Sequence, residues 1–156
     1  MAIKTIIVRG NATEQHDEAI ANGAINVGNL VELQSTGKVR KNAAGAGVVA
    51  PVTVAVEDDM QGNGIDDAYA DAALVQYVHA RPGDHINLVC VDGGSAIVIG
   101  DKIEPAAAGE VRKAATSSSG ALSNPEAVIG IARSAVDASD SAATALASRR
   151  FVVEIM

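Results

Sequence analysis

The chain has 156 residues, a formal charge of −7 and an isoelectric point near 4.8. Its twelve cationic residues are scattered along an acidic chain, which leaves no electrostatic footprint for a nucleic-acid backbone. Apolar runs such as VVAPVTVAV fall far short of a bilayer span, and the lone Cys90 forbids an internal disulfide.

In chain order, IKTIIV (residues 3–8) is β-branched and apolar on both alternating faces, the pattern of a strand covered on both sides. The apolar stretch in MAIKTIIVRGN is too short for a signal peptide, so the chain is expected to be made in a reducing cytosol. Glu18 to Ala21 reads as a short strand, and AINVGNLVEL as a strand broken at Gly28. STGK then turns the chain and VRK returns it. GAGVVAPVTVAVED is the next strand region, with Pro51 marking an edge or bulge. MQGNGIDDAYADA is a long loop, ALVQYVHA a strand and RPGD a turn whose Pro82 presets the backbone. HINLVCV, AIVIGDKIEP and EVRKA follow as strands, with Cys90 on the face of Ile86 and Leu88 and therefore expected in the core. ATSSSGALSNP is a Ser/Gly loop and AVIGIARSAV a strand. Ser139 to Ala147 is Ala-rich enough for a turn or two of helix, and RRFVVEIM closes the chain as a strand.

The chain repeats itself. AINVGNLVELQSTGKVRK from Ala24 and AIVIGDKIEPAAAGEVRK from Ala96 share 8 of 18 residues without a gap, including Glu32/Glu104, Arg40/Arg112 and Lys41/Lys113. ALVQYVHA also resembles RRFVVEIM. Two copies of one supersecondary unit are expected, over residues 1–74 and 75–156, in one compact domain or two lobes. Short strands separated by Gly, Asp, Asn and Pro turns indicate an all-β barrel, β-tulip or sandwich. With so few aromatic residues the core must be aliphatic, and each buried side chain contributes less area.

Motifs for chemistry are weak. GAGVVA (45–50) spells a dinucleotide fingerprint, but Pro51 and VTVAV follow where a helix would be needed. EDDMQGNGIDD (57–67) does not keep calcium-loop spacing, so a solvated loop is expected there. His79 and His85 flank RPGD and would face each other across a tight hairpin, but two histidines without a third ligand do not make a zinc site. No serine lies in a nucleophile elbow, and although His16 stands beside Asp17 and Glu18, adjacent residues on a strand point to opposite faces. Biotin- and lipoyl-carrier domains use related Gly-Asp wording, but the lysine in GDKIEP is not at a hairpin tip. No catalytic residue, cofactor or metal is expected.

AIVIGDKIEPAAAGEVRKA, AVIGIARSAVDAS and the terminal RRFVVEIM, preceded by ALVQYVHARPGD, resemble the small capsid decoration (cement) proteins of tailed bacteriophages. The resemblance covers about residues 68–156, and the internal copy extends it towards the N-terminus. The first copy departs from it with Gly28-Asn29 in place of Gly-Asp and with a longer loop after Glu57. The resemblance implies a non-enzymatic protein on the outer surface of an expanded head. Its partners would be the phage major capsid protein and itself, as a trimer or a dimer, with no nucleic acid and no membrane. Multivalent contact would let it discriminate an assembled lattice from free subunits. Ile3, Lys4, Thr5, Ile6, Ile7 and Val8 are the candidate contact residues, with core burial as the competing role for that strand. A carbohydrate- or ligand-binding β module is the alternative function, and a metal-dependent enzyme using the 57–67 acids is a more distant one.

Overall fold

The computed structural model describes residues 5–10, 16–43, 52–140 and 145–156. Thirteen short strands account for the regular structure: β1 Ile7–Arg9, β2 His16–Ile20, β3 Ile25–Asn26, β4 Val31–Leu33, β5 Val39–Lys41, β6 Thr53–Ala55, β7 Ala68–Tyr69, β8 Leu74–His79, β9 His85–Val89, β10 Lys102–Pro105, β11 Val111–Lys113, β12 Gly130–Ala132 and β13 Arg150–Ile155. The helical segments among the described residues are single 3-10 turns at Ala107–Gly109, Pro125–Ala127 and Leu146–Arg149. The fold is all-β and its sheets are antiparallel. None closes into a barrel, and the open sheets fit a sandwich-like description.

The repeated wording corresponds to repeated strand pairing. A first unit is ordered β2-β8-β6, with the β4-β5 hairpin joined to β6 by the Leu30–Val54 bridge. A second is ordered β9-β13-β12-β10-β11, with β1 added outside β9. His16↔Val78 through Ile20↔Leu74 in the first unit match His85↔Glu154 through Val89↔Arg150 in the second. Thr53↔His79 through Ala55↔Tyr77 match Gly130↔Ile155 through Ala132↔Val153. In the hairpins, Glu32↔Arg40 matches Glu104↔Arg112, and each pair is joined by a guanidinium–carboxylate contact, at 2.6 and 2.8 Å. A single parallel bridge ends each path, Ala21 to Val39 and Cys90 to Val111.

The turn before each hairpin is built alike. Gly28 and Gly100 have φ of +90° and +94°, a conformation that favours glycine. The Asn26 N–H donates to Asn29 Oδ1 at 3.1 Å, and the Val98 N–H to Asp101 Oδ2 at 2.9 Å. Asn29 thus performs the same local turn as the aspartate it replaces, since either side-chain oxygen accepts from the backbone.

Strand pairing differs from the sequence reading at the junction. β8 was expected in the second copy, yet it pairs with β2 and β6 of the first. RPGD does turn, with the Asp84 N–H donating to the Arg81 carbonyl at 3.0 Å, but it carries the chain from one unit to the other and is not a hairpin. The Ala-rich stretch shows one 3-10 turn, Leu146–Arg149, and residues 141–144 lie outside the described ones.

One contiguous aliphatic core runs through both units, from Ile25, Val31, Val39 and Val54 to Ile86, Leu88, Ile103 and Val153. Phe151 is its largest fully buried side chain and Cys90 lies in it, as the alternation of HINLVCV requires. Tyr69 is buried with its hydroxyl donating to the Val56 carbonyl at 2.8 Å. Burial, reinforced by the Asp58 and Glu57 carboxylates, pushes its pKa up to about 12.

The units also meet through backbone. The Asn87 N–H donates to the Ile6 carbonyl at 2.8 Å and the Val89 N–H reaches the Gly28 carbonyl at 3.4 Å, so the outer edge of β9 is covered. Arg150 of β13 donates to the Val27 carbonyl at 3.2 Å, to the Ile65 carbonyl, and to Asp66 at 2.5 Å. The turn at Gly109 reaches the other way: its carbonyl accepts from the Leu30 N–H at 2.7 Å and its N–H donates to the Asn42 carbonyl at 3.0 Å.

Two substitutions test this packing. Phe151→Ala is expected to cost about 3–5 kcal/mol in urea unfolding, the range for losing a buried phenyl ring. A Cβ on Gly130 would lie 2.3 Å from the Glu154 carbonyl oxygen and 2.6 Å from Val153 Cγ1. Gly130→Ala is therefore expected to cost about 1–3 kcal/mol by forcing β12 and β13 apart. An unchanged midpoint for both would mean that these strands do not pack as described.

Candidate functional site

Of the candidate contact strand, Ile3 and Lys4 lie outside the described residues. Thr5 is exposed and its hydroxyl donates to the Glu57 carboxylate, while the Ile6 N–H donates to both Glu57 oxygens at 3.2 and 3.1 Å. Ile6 is fully buried, Ile7 half-buried and Val8 exposed. The segment 5–8 is thus divided: Ile6 joins the core, and Val8 leaves apolar surface in solvent. Thr5 and Ile7 line a cleft of about 340 Å³ with Glu57, Asp59, Gln76 and Met60. Met60 stands on its lip almost wholly exposed.

Further apolar side chains stand in solvent on both units: Ile20 and Leu74, which are paired across β2 and β8, Leu33 at the end of β4, and Val98 and Ile99 in the turn before β10. Sequence pattern alone did not mark them. The signal that finds them is the comparison of the two copies, because the buried Val27 corresponds to the exposed Ile99. Two adjoining clefts of about 410 and 300 Å³ lie beside β11, sharing Ser95, Arg112 and Lys113.

Among the described residues, His16, Glu57, Asp58 and Asp59 share the cleft of about 340 Å³, while the other two histidines lie apart. The histidines expected to face each other turn to different partners, because β8 and β9 belong to different units. His79 contacts Thr53 Oγ1 at 3.0 Å and Asp17 at 3.2 Å, whereas His85 contacts Glu154 at 3.5 Å. In the acidic loop the Asp58 carboxylate is buried, with one oxygen accepting from the Gln61 N–H at 3.2 Å. The loop closes through the Asp58–Asn63 bridge. Among the described residues no group of three His, Cys, Asp or Glu side chains could hold a metal ion. GAGVVA lies outside the described residues. Burial pushes the Cys90 thiol up to about 11, against the opposing charge of Arg149, so little thiolate forms near neutrality. No helix among the described residues is long and apolar enough to cross a membrane.

What this surface offers is contact. Apolar side chains on a hydrogen-bonded β scaffold gain free energy when another surface covers them, at about 25 cal/mol per Å². A scan against family models finds no match, and a search of curated proteins finds no similar sequence.

The hairpin turn of the second unit carries a pH-dependent element. Burial opposes ionisation of Asp101, yet the Val98 N–H and the Lys113 ammonium at 2.9 Å outweigh it and hold its carboxyl below the usual range. A carboxylate depressed in the folded state contributes its stability above the unfolded pKa of about 4 and loses it as pH falls through the folded value. Unfolding free energy is therefore expected to drop on acidification below about pH 4. Asp101→Asn should keep the turn, as Asn29 does in the first unit, and flatten that decline. Urea titrations of both proteins between neutrality and pH 3 measure it; parallel pH profiles would assign the acid sensitivity to other carboxylates.

Proposed function

We propose that the protein is a capsid decoration protein that binds the outer surface of an expanded phage head and stabilises it by bridging major capsid subunits as a homotrimer. The observation that carries this reading is the set of exposed apolar side chains on a twice-repeated β scaffold, distributed over both units. The resemblance of residues 68–156 to decoration proteins supports it independently. The formal charge of −7 would keep copies soluble before they dock.

Physically, such a protein needs several modest contacts held at fixed spacing. Each contact raises the effective concentration of the next, so that only an assembled lattice is bound tightly. The surface assigned to the coat protein is the exposed end of β1 with Met60, where Val8, Ile7 and the cleft beside Glu57 present apolar area next to backbone. No bond is made or broken at this surface.

Co-sedimentation with purified heads tests the function. Saturable binding to expanded heads and none to unexpanded procapsids is expected. Met60→Asp, at a position too exposed to affect folding, should weaken binding about tenfold or more, the consequence of losing roughly 1.4 kcal/mol of apolar contact. Binding to neither particle would overturn the reading, and undiminished binding by the Met60 variant would move the coat-facing surface elsewhere.

A further inference from the structure

The contact between the two units is used once inside the chain, and a second set of its parts is left open. In the internal contact, the Val27-Gly28 turn of the first unit sits on β9 and β13 of the second. The matching turn in the second unit is Ile99-Gly100, and the strands matching β9 and β13 are β2 and β8 of the first. Every part of the pair is therefore present twice. One set is joined within the chain, and the other faces solvent.

Exposure shows the difference position by position. Val27 is 0% exposed, whereas Ile99 is 66% exposed. Val89, which receives Gly28, is 0% exposed, whereas its counterpart Ile20 is 40% exposed. Leu74, the counterpart of Arg150, stands beside Ile20 at 37%. The crowding of the glycines agrees. A Cβ on Gly28 would lie 3.1 Å from the Asn87 oxygen and 3.2 Å from Val89 Cγ2, whereas one on Gly100 would meet nothing within 4 Å. The two glycines have nearly the same φ, so the turn is the same and only its partner is missing.

The other half of the contact behaves the same way. At Gly109 a Cβ would lie 2.6 Å from the Leu30 oxygen; at the matching Gly37 it would meet nothing within 4 Å. Pro105 is buried beside that turn, while its counterpart Leu33 is 62% exposed. The place in the second unit that matches Leu30 and Asn42 is Lys102 and Ala114, and Ala114 lines the larger of the two clefts beside β11. Five of the eight large exposed apolar side chains of the described residues, Ile20, Leu33, Leu74, Val98 and Ile99, fall on these open counterparts.

We propose that the open set is a self-association surface. The Val98–Gly100 turn of one chain docks on the outer edge of β2, at Ile20 and Leu74, of a second copy. In return, the Leu33–Gly37 turn of that copy docks beside Ala114. In β9 the N–H groups of Asn87 and Val89 leave the sheet, and the shared register sends those of Glu18 and Ile20 outward from β2. The Ile20 N–H then donates to the Gly100 carbonyl, as the Val89 N–H donates to that of Gly28. Donor and acceptor lie on opposite units, so the contact is head-to-tail and closes only as a ring. It supplies the joint for the trimer in the proposed function, but it concerns the purified chain alone and stands without the capsid.

Light scattering on the purified full chain tests it. The wild type is expected at a whole multiple of 15.7 kDa, and Ile99→Asp and Ile20→Asp should each fall to the monomer mass with unchanged circular dichroism and melting temperature. Mixing Ile20→Cys chains with Ile99→Cys chains should give a disulfide-linked dimer under mild oxidation, while neither variant links to itself. A wild type that is monomeric at its highest soluble concentration would overturn the proposal. So would a mass that neither aspartate changes, or self-linking of either single cysteine variant. Association through this surface without head binding would leave it intact and remove only the capsid function.

Discussion

A buried sheet edge must find acceptors for its outward N–H groups, because an unpaired backbone donor removed from water costs about as much as a lost hydrogen bond. β9 meets this requirement with two separate segments of chain, the carbonyl of Ile6 and that of Gly28. The requirement fixes much else. Gly28 must lack a side chain for its turn to approach Asn87 and Val89. β1 must cross to the second unit, and Arg150 must reach back to the carbonyls of Val27 and Ile65. Where the same strand recurs as β2 without such cover, its residues are exposed except for Ala19. Identical register with opposite burial separates what the fold of one unit demands from what the contact between units demands.

The interior is consistent with this division. With one phenylalanine and two tyrosines, the core depends on Val, Ile and Leu, each contributing about 1.5–3 kcal/mol when fully buried. Small side chains let backbones approach closely, so carbonyls and N–H groups join the units beside the core they share. Charge is treated differently in the two hairpins. Glu104 is fully buried and accepts from Arg112, while the matching Glu32 remains partly solvated beside Arg40. The second hairpin is the one whose turn docks on the first unit. Only the carboxylate is buried, Arg112 being 43% exposed, so the costly change is removal of the arginine, which leaves the Glu104 charge without its partner.

Much of the local structure was legible because turn chemistry and two-residue alternation are encoded locally. The β4-β5 and β10-β11 hairpins, the RPGD turn and the burial of Cys90 all follow from residues within a few positions of one another. The repeat was visible because Glu, Arg and Lys recur with the glycines, and those charged residues hold the same cross-strand pair in both hairpins. Pairing over long separations was not legible. The likeness of ALVQYVHA to RRFVVEIM marks β8 as the counterpart of β13, but a unit boundary at residue 74 sets it in the second copy and misplaces the two histidines with it. The exposed apolar residues were hidden for a different reason: Ile99 and Ile20 look like core residues until their buried counterparts Val27 and Val89 are known. The candidate strand at residues 3–8 was legible as apolar, but its division into a buried Ile6 and an exposed Val8 depends on where β9 ends.

Joining two units in one chain makes their contact intramolecular, so it forms at an effective concentration set by the short Arg81–Asp84 connection and does not weaken on dilution. A matching contact between chains has no such advantage and depends on concentration as well as on the apolar area and backbone hydrogen bonds it makes. The net charge of −7 on each copy opposes that association at low ionic strength, and salt screens the repulsion within about 10 Å at 0.1 M. The residues on the open face are suited to this balance: Ile99, Val98, Ile20, Leu74 and Leu33 carry no charge, while acids such as Asp17, Glu18 and Asp71 surround them along the chain. With the proposed contact, such a scaffold would stay dispersed when dilute and associate where copies are concentrated. Bringing many copies onto one surface would supply that concentration, so the same contact would add stability where the protein is assembled and little elsewhere.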